Sequence, residues 1–95
     1  MGVSFNGKPL VPTKTASEEL VDIDFDLERV PDILETGFEI RKREKGVIER
    51  GIPRGKKVVN VVVVDRGDFF KLIHAGEFTL SKKFRKLAGD KNGPR

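Results

Sequence analysis

Between Lys57 and Asp65 the chain carries valine at six of nine positions, interrupted by Asn60. Side chains branched at Cβ are stiff and pack well on a pleated surface. Successive residues of a strand point to opposite faces, so valine at both odd and even positions calls for cover on both sides and marks a central strand. Turn-forming residues bracket it, Pro53-Arg54-Gly55 before and Arg66-Gly67-Asp68 after, where glycine supplies the backbone freedom that tight turns require. Neighbouring segments then become its antiparallel partners. Phe38 to Arg43 and Val47 to Ile52, joined by Glu44-Lys45-Gly46, read as a hairpin, and Phe69 to His74 reads as the closing strand.

The remaining segments are less regular. Residues 1–17 read as irregular chain, with Asn6-Gly7 suited to a tight turn but Pro9 and Pro12 weakening any hairpin around it. Val21, Ile23 and Phe25 alternate with Asp22, Asp24 and Asp26, the period of a strand with one solvated face. Leu27, Val30, Ile33 and Leu34 follow at helical spacing and stop at Gly37. Pro31 leaves two arrangements open there, a kinked helix capped by Asp26 or a short one beginning at the proline. From Thr79, whose hydroxyl suits a helix cap, Leu80, Phe84 and Leu87 form one helical face with Lys82, Lys83, Arg85 and Lys86 opposite, and residues 90–95 read as a polar tail. The expected fold is an α+β domain on an antiparallel sheet of about four strands, with an N-terminal helical segment and a basic C-terminal helix.

Length and composition narrow the field further. A chain of 95 residues, 37% hydrophobic and 36% charged, is long enough for one small core and too short for two, so residues 1–95 are expected to form a single domain. With no cysteine and one histidine, a disulfide framework and a conventional zinc site drop out, and no cofactor is expected. The longest apolar run, Val61 to Val64, is far below a membrane span. The N-terminus lacks the basic-then-apolar order of a signal peptide, so a cytoplasmic protein without a membrane partner is expected.

Charge is sorted along the chain. Residues 1–39 hold three basic and nine acidic side chains, net −6, whereas residues 40–95 hold sixteen basic and six acidic, net +10. Cationic halves attract polyanions. Arg41, Arg43, Arg50, Arg54, Lys56 and Lys57 lie on the expected hairpin strands and turns; joined by Lys82, Lys83, Arg85 and Lys86, they would make one phosphate-binding surface whose affinity falls steeply with salt. The same residues would equally form a solvated face, or an electrostatic counterpart to the acidic segment Glu18 to Glu39, within the chain or in a charge-matched homodimer.

His74 falls after Phe70 and Leu72 on one face of its strand and is the candidate for acid or base work near neutral pH; a half-buried, hydrogen-bonded histidine is the plainer reading. Glu77 is close enough in sequence to share its site. Asp22, Asp24 and Asp26 read as a solvated edge, since carboxylates about 6 to 7 Å apart along a strand hold a metal poorly. Phe69 and Phe70 point to opposite faces, one toward the core and one available for stacking on a base.

The run from Val58 through Asn60 and Arg66-Gly67-Asp68 to His74 and Glu77 resembles the closing hairpin of RelE/ParE-like toxins, including the BrnT-type branch. That resemblance implies helical material packed on an antiparallel sheet, an antitoxin protein as partner, and ribonuclease activity without metal or cofactor. Cationic side chains then hold the scissile phosphate while the ribose 2′-hydroxyl attacks. Carried over residue by residue, it gives His74 a role in proton transfer, with Lys82, Lys83 and Arg85 as functional cations and Arg50 and Lys71 as phosphate contacts. A noncatalytic module that binds nucleic acid or pairs with a second copy stays open beside it, because one fold hosts many functions.

Overall fold

The computed structural model describes residues 2–79. They run as β1 (Ser4–Phe5), β2 (Lys8–Pro12), α1 (Lys14–Asp22), a short 3-10 helix (Leu27–Arg29), α2 (Val30–Thr36), β3 (Phe38–Glu39), β4 (Val47–Arg54), β5 (Lys57–Asp65) and β6 (Phe70–Thr79). All six strands join one sheet in the order β1-β2-β6-β5-β4-β3. The valine-rich β5 lies between β6 and β4 with Val58, Val59, Val61, Val62 and Val63 buried, as its two-sided pattern requires.

The sheet corrects the expected architecture. It is mixed and six-stranded, not antiparallel with about four strands, and the two helices are short. Leu10, Val11 and Pro12 lie parallel to Phe70, Lys71 and Leu72, whereas the other pairings are antiparallel. The segment read as irregular forms this extra hairpin because Asn6 and Gly7 both adopt positive φ, 53° and 78°, the geometry of a two-residue turn matched to strand twist. Its prolines do no harm. Pro9 precedes the ladder to β6, which begins at Leu10, and past Pro12 the Thr13 amide donates to the Leu72 carbonyl at 2.9 Å. Thr79, expected to cap a helix, instead ends β6 opposite Lys57, while the basic helix expected after it, with Lys82, Lys83, Arg85 and Lys86, and the 90–95 tail lie outside the described residues.

The Val21 to Asp26 alternation does not make a strand either. Thr13 Oγ1 accepts the Ala16 amide at 3.0 Å, an N-cap worth about 1 kcal/mol, and Ala16 and Leu20, one turn apart, bury while Val21 stays 78% exposed. The helical period therefore wins. The helix closes through Asp24, at φ 55°, with Asp24 N donating to Val21 O and Phe25 N to Leu20 O, both at 3.0 Å. This left-handed closing residue satisfies carbonyls the helix end would otherwise strand. Pro31 sits in the first turn of α2, where a missing amide costs nothing, close to the second of the two arrangements left open by the sequence.

Both helices pack on one face of the sheet. Ala16, Leu20, Val30, Ile33 and Leu34 meet Val59, Val61, Val63, Leu72 and Ala75 in the main core, with Phe5, Leu10, Phe25 and Phe70 closing its margins. Burying a side chain such as Ile33 or Leu72, both fully enclosed, stabilises by about 2 to 3 kcal/mol. On the opposite face, among the described residues, Phe38, Ile40 and Val58 gather with Phe78 at one corner.

Candidate functional site

Cross-strand register on the face away from the helices builds a depression. Gly76 of β6 faces Asn60 of β5, which faces Gly51 of β4, so across these three strands Asn60 carries the side chain, with Phe38 of β3 beyond Gly51. The next row places His74 opposite Val62 and Val62 opposite Glu49. A cleft of about 350 Å³ opens over these rows, lined by Ile40, Phe78, Arg41, Glu49, Asn60 and His74 among others. Its size falls within the range of small-molecule sites.

His74 reaches this face through an irregularity. Val63 pairs with Leu72 but Val62 pairs with His74, leaving Ile73 as an extra residue in β6. A one-residue bulge turns the following side chains over. The expectation that His74 shares a face with Phe70 and Leu72 is thereby corrected: those two are buried in the helix-side core, while the histidine side chain, 46% exposed, stands on the open face. Beyond Leu72 the β6 edge has no partner from β2, and α1 takes its place. Glu19 Oε1 accepts the Ala75 amide at 2.9 Å and lies 3.2 Å from His74 Nδ1. The other ring nitrogen, Nε2, lies over Gly76, 3.0 Å from where a Cβ would stand.

Glu49 anchors the far side of the cleft. Its side chain is 4% exposed, and Oε1 meets Arg43 NH1 at 3.0 Å and Arg41 Nε at 3.1 Å, while Oε2 accepts from Asn60 Nδ2 at 3.1 Å. A carboxylate removed from water needs such partners to be tolerated. Arg41, with a side chain 66% exposed, keeps guanidinium surface toward solvent at the rim.

Among the sequence candidates, His74 and Arg41 line this cleft, Arg43 borders it through its pair with Glu49, and Lys71, opposite Val64, projects from the same face. The others do not join them. Arg50 pairs across from Val61 on the helix side. Arg54 is bound to Glu77 at 2.8 Å and donates to the Ile23 carbonyl at 2.5 Å and the Asp24 carbonyl at 3.3 Å. Lys56 lies exposed in the β4–β5 turn. The described cations thus spread over two faces, several held by carboxylates, and do not form the single continuous patch expected from the sequence. Lys82, Lys83, Arg85 and Lys86 lie outside the described residues.

Other candidates settle as follows. Glu77 directs its carboxylate to Arg54 and Lys57; His74 takes Glu19 instead. Phe70 is 4% exposed, edge-on to Phe5 with centroids 5.1 Å apart, so it packs the core, and Phe69 is half-buried. Asp22 ends α1, and Asp24 and Asp26 lie in the loop after it. Among the described residues no three His, Asp or Glu converge as metal ligands would. No helix among them is long and apolar enough to cross a membrane.

Glu19, Glu49 and Gly76 escaped sequence reasoning, and Asn60 was noted only as an interruption. One signal was present: a polar residue in the middle of a strand buried on both faces needs a polar partner, and Asn60 with Glu49 is the pair among the described residues that is buried and polar. Compared with protein-family models, with curated proteins and with solved structures, the chain matches none.

Proposed function

We propose that this chain acts on RNA through the cleft of its open face, as a RelE-like, metal-independent endoribonuclease. The observation that carries this reading is the placement of His74, with Nδ1 against Glu19 and Nε2 over the cleft. A carboxylate on one ring nitrogen fixes the tautomer and leaves the other as a proton acceptor, the arrangement of a general base. In the step envisaged, Nε2 takes the proton of a ribose 2′-hydroxyl, and the oxygen attacks the adjacent phosphorus. The bond to the 5′-oxygen breaks, the 5′-oxygen leaves with a proton from the imidazolium or water, and a 2′,3′-cyclic phosphate remains. The exposed guanidinium of Arg41, held at the rim by Glu49, which also pairs with Arg43, would meet the phosphate. Under this reading the protein works in the cytoplasm and an antitoxin protein restrains it.

A second reading rests on a count. The chain has one histidine, so the departing oxygen has no second imidazole to protonate it, which favours RNA binding without turnover. Incubating the purified chain with mixed single-stranded RNA and EDTA separates the two. Fragments ending in cyclic phosphate, formed at least about a hundredfold more slowly by His74→Ala, support the enzyme; retained but intact RNA supports the binding module.

A further inference from the structure

We propose that the cleft also reads a base of the bound strand, accepting the amino group at C6 of adenine or C4 of cytosine at Asn60 Oδ1 and disfavouring uracil, which has a carbonyl oxygen there. The proposal rests on the RNA reading of the same site and adds its specificity.

The direction of the Asn60 amide follows from its neighbour. Glu49 Oε1 carries two guanidinium contacts, so the group is a carboxylate and can only accept hydrogen bonds. Nδ2 must therefore be the atom facing Glu49 Oε2, at 3.1 Å, and Oδ1 faces the other way, toward β6. There the chain has a glycine. A Cβ on Gly76 would stand 3.2 Å from Asn60 Oδ1 and 3.0 Å from His74 Nε2, so any larger residue would cover the oxygen.

Among the described residues no donor to Oδ1 is seen, the side-chain bond of Asn60 being the one from Nδ2. Among the described residues no buried side-chain oxygen or nitrogen lacks a partner, so this oxygen is reached from the cleft. Asn60 as a whole is 7% exposed. A side chain this deeply buried, with its amide nitrogen engaged and its oxygen turned into a cleft, is a fixed acceptor waiting for an N–H from a ligand. Rotation cannot convert it to a donor without setting its oxygen against the Glu49 carboxylate.

The surroundings suit a flat heterocycle. Ile40 and Phe78 give the cleft apolar walls beside this acceptor, and base edges are distinguished by where they place donors and acceptors. An amino group of adenine or cytosine meets Oδ1 with a hydrogen. Uracil offers a carbonyl oxygen at the corresponding position, leaving two acceptors face to face and the buried Oδ1 unpaired.

Titration calorimetry with AMP, CMP and UMP on the full chain tests this without any cleavable linkage. We expect AMP and CMP to bind at least about fivefold more tightly than UMP. Gly76→Ala, which covers Oδ1 but spares the contact between Asn60 and Glu49, should erase the difference, as should Asn60→Ala. Equal affinities for the three nucleotides in the unaltered protein, or binding of none, would overturn the proposal. RNA cleavage with equal affinities sinks base reading alone, whereas an intact amino preference without cleavage sinks the enzyme alone.

Discussion

Glu19 Oε1 lies 3.2 Å from His74 Nδ1 while accepting the Ala75 amide at 2.9 Å, so one carboxylate of α1 holds both the edge of β6 and the imidazole beside it. Two functions on one oxygen can be separated by substitution. In Glu19→Gln the amide oxygen still accepts from Ala75, so the fold should persist, but the negative charge that holds the ring in one tautomer is gone. Under the endoribonuclease proposal RNA cleavage should fall by about tenfold or more, and whatever the activity, thermal stability should change by less than about 1 kcal/mol. Nitrogen chemical shifts of the imidazole should move toward mixed tautomers. Unaltered shifts and rate would remove Glu19 from the site.

Glu49 should matter for both folding and binding. Glu49→Ala leaves Asn60 Nδ2 without its acceptor and Arg41 and Arg43 without a shared anion. Both guanidiniums retain access to water, so the cost should be about 1 to 3 kcal/mol and not the larger penalty of a fully enclosed charge. Urea unfolding would measure it. Glu49→Gln should cost less.

Gly51 has no room for a side chain. A Cβ there would come within 2.8 Å of Val58 Cγ1 and 3.0 Å of both Ile40 Cδ1 and the Val59 carbonyl oxygen. Gly51→Ala should destabilise by about 1 to 3 kcal/mol through overpacking, and because Ile40 must shift, it should also weaken nucleotide binding at the cleft. Parallel melting and titration curves would show whether the two effects travel together.

Asp65 ties the β5–β6 turn to the N-terminal hairpin. The Gly67 amide at 2.9 Å, and then Lys8 Nζ at 3.0 Å, hold its carboxyl below the usual carboxylate range. A carboxyl whose folded-state pKa is depressed adds stability above its unfolded value and loses it as pH falls through the folded one. The stability difference between the unaltered chain and Asp65→Asn should therefore be full at neutral pH and shrink below the ordinary carboxylate range. Urea midpoints across an acid titration check the sign. A difference that grows on acidification would contradict it.

Much of the strand order was legible where local pattern and tertiary need agree. The valines of β5, the turns around Gly46 and Gly67, and α2 ending at Gly37 could be read from residue type and spacing. Two errors have physical causes. At Val21 to Asp26 the alternation was real, but Thr13 and Ala16 had already set a helix running, and Asp24 closed it with a positive φ that no periodicity reveals. At His74 the alternation was also real, and a bulge at Ile73 inverted it. The site depended on that inversion, and on a Glu19 partner distant in sequence, so only Asn60 gave a local hint. Arg54 shows why cations in a sequence overstate a surface: three acceptors on other segments claim it.

The parallel alignment of residues 10–12 with residues 70–72 sets when the molecule can become whole. Contacts between such distant segments form only after the intervening chain is in place. During synthesis the N-terminal hairpin leaves the ribosome long before the strand it must join, and Glu19 likewise precedes the histidine it will steer. A nascent copy therefore cannot assemble the cleft until residues 70–79 have emerged to meet the hairpin and α1 that precede them.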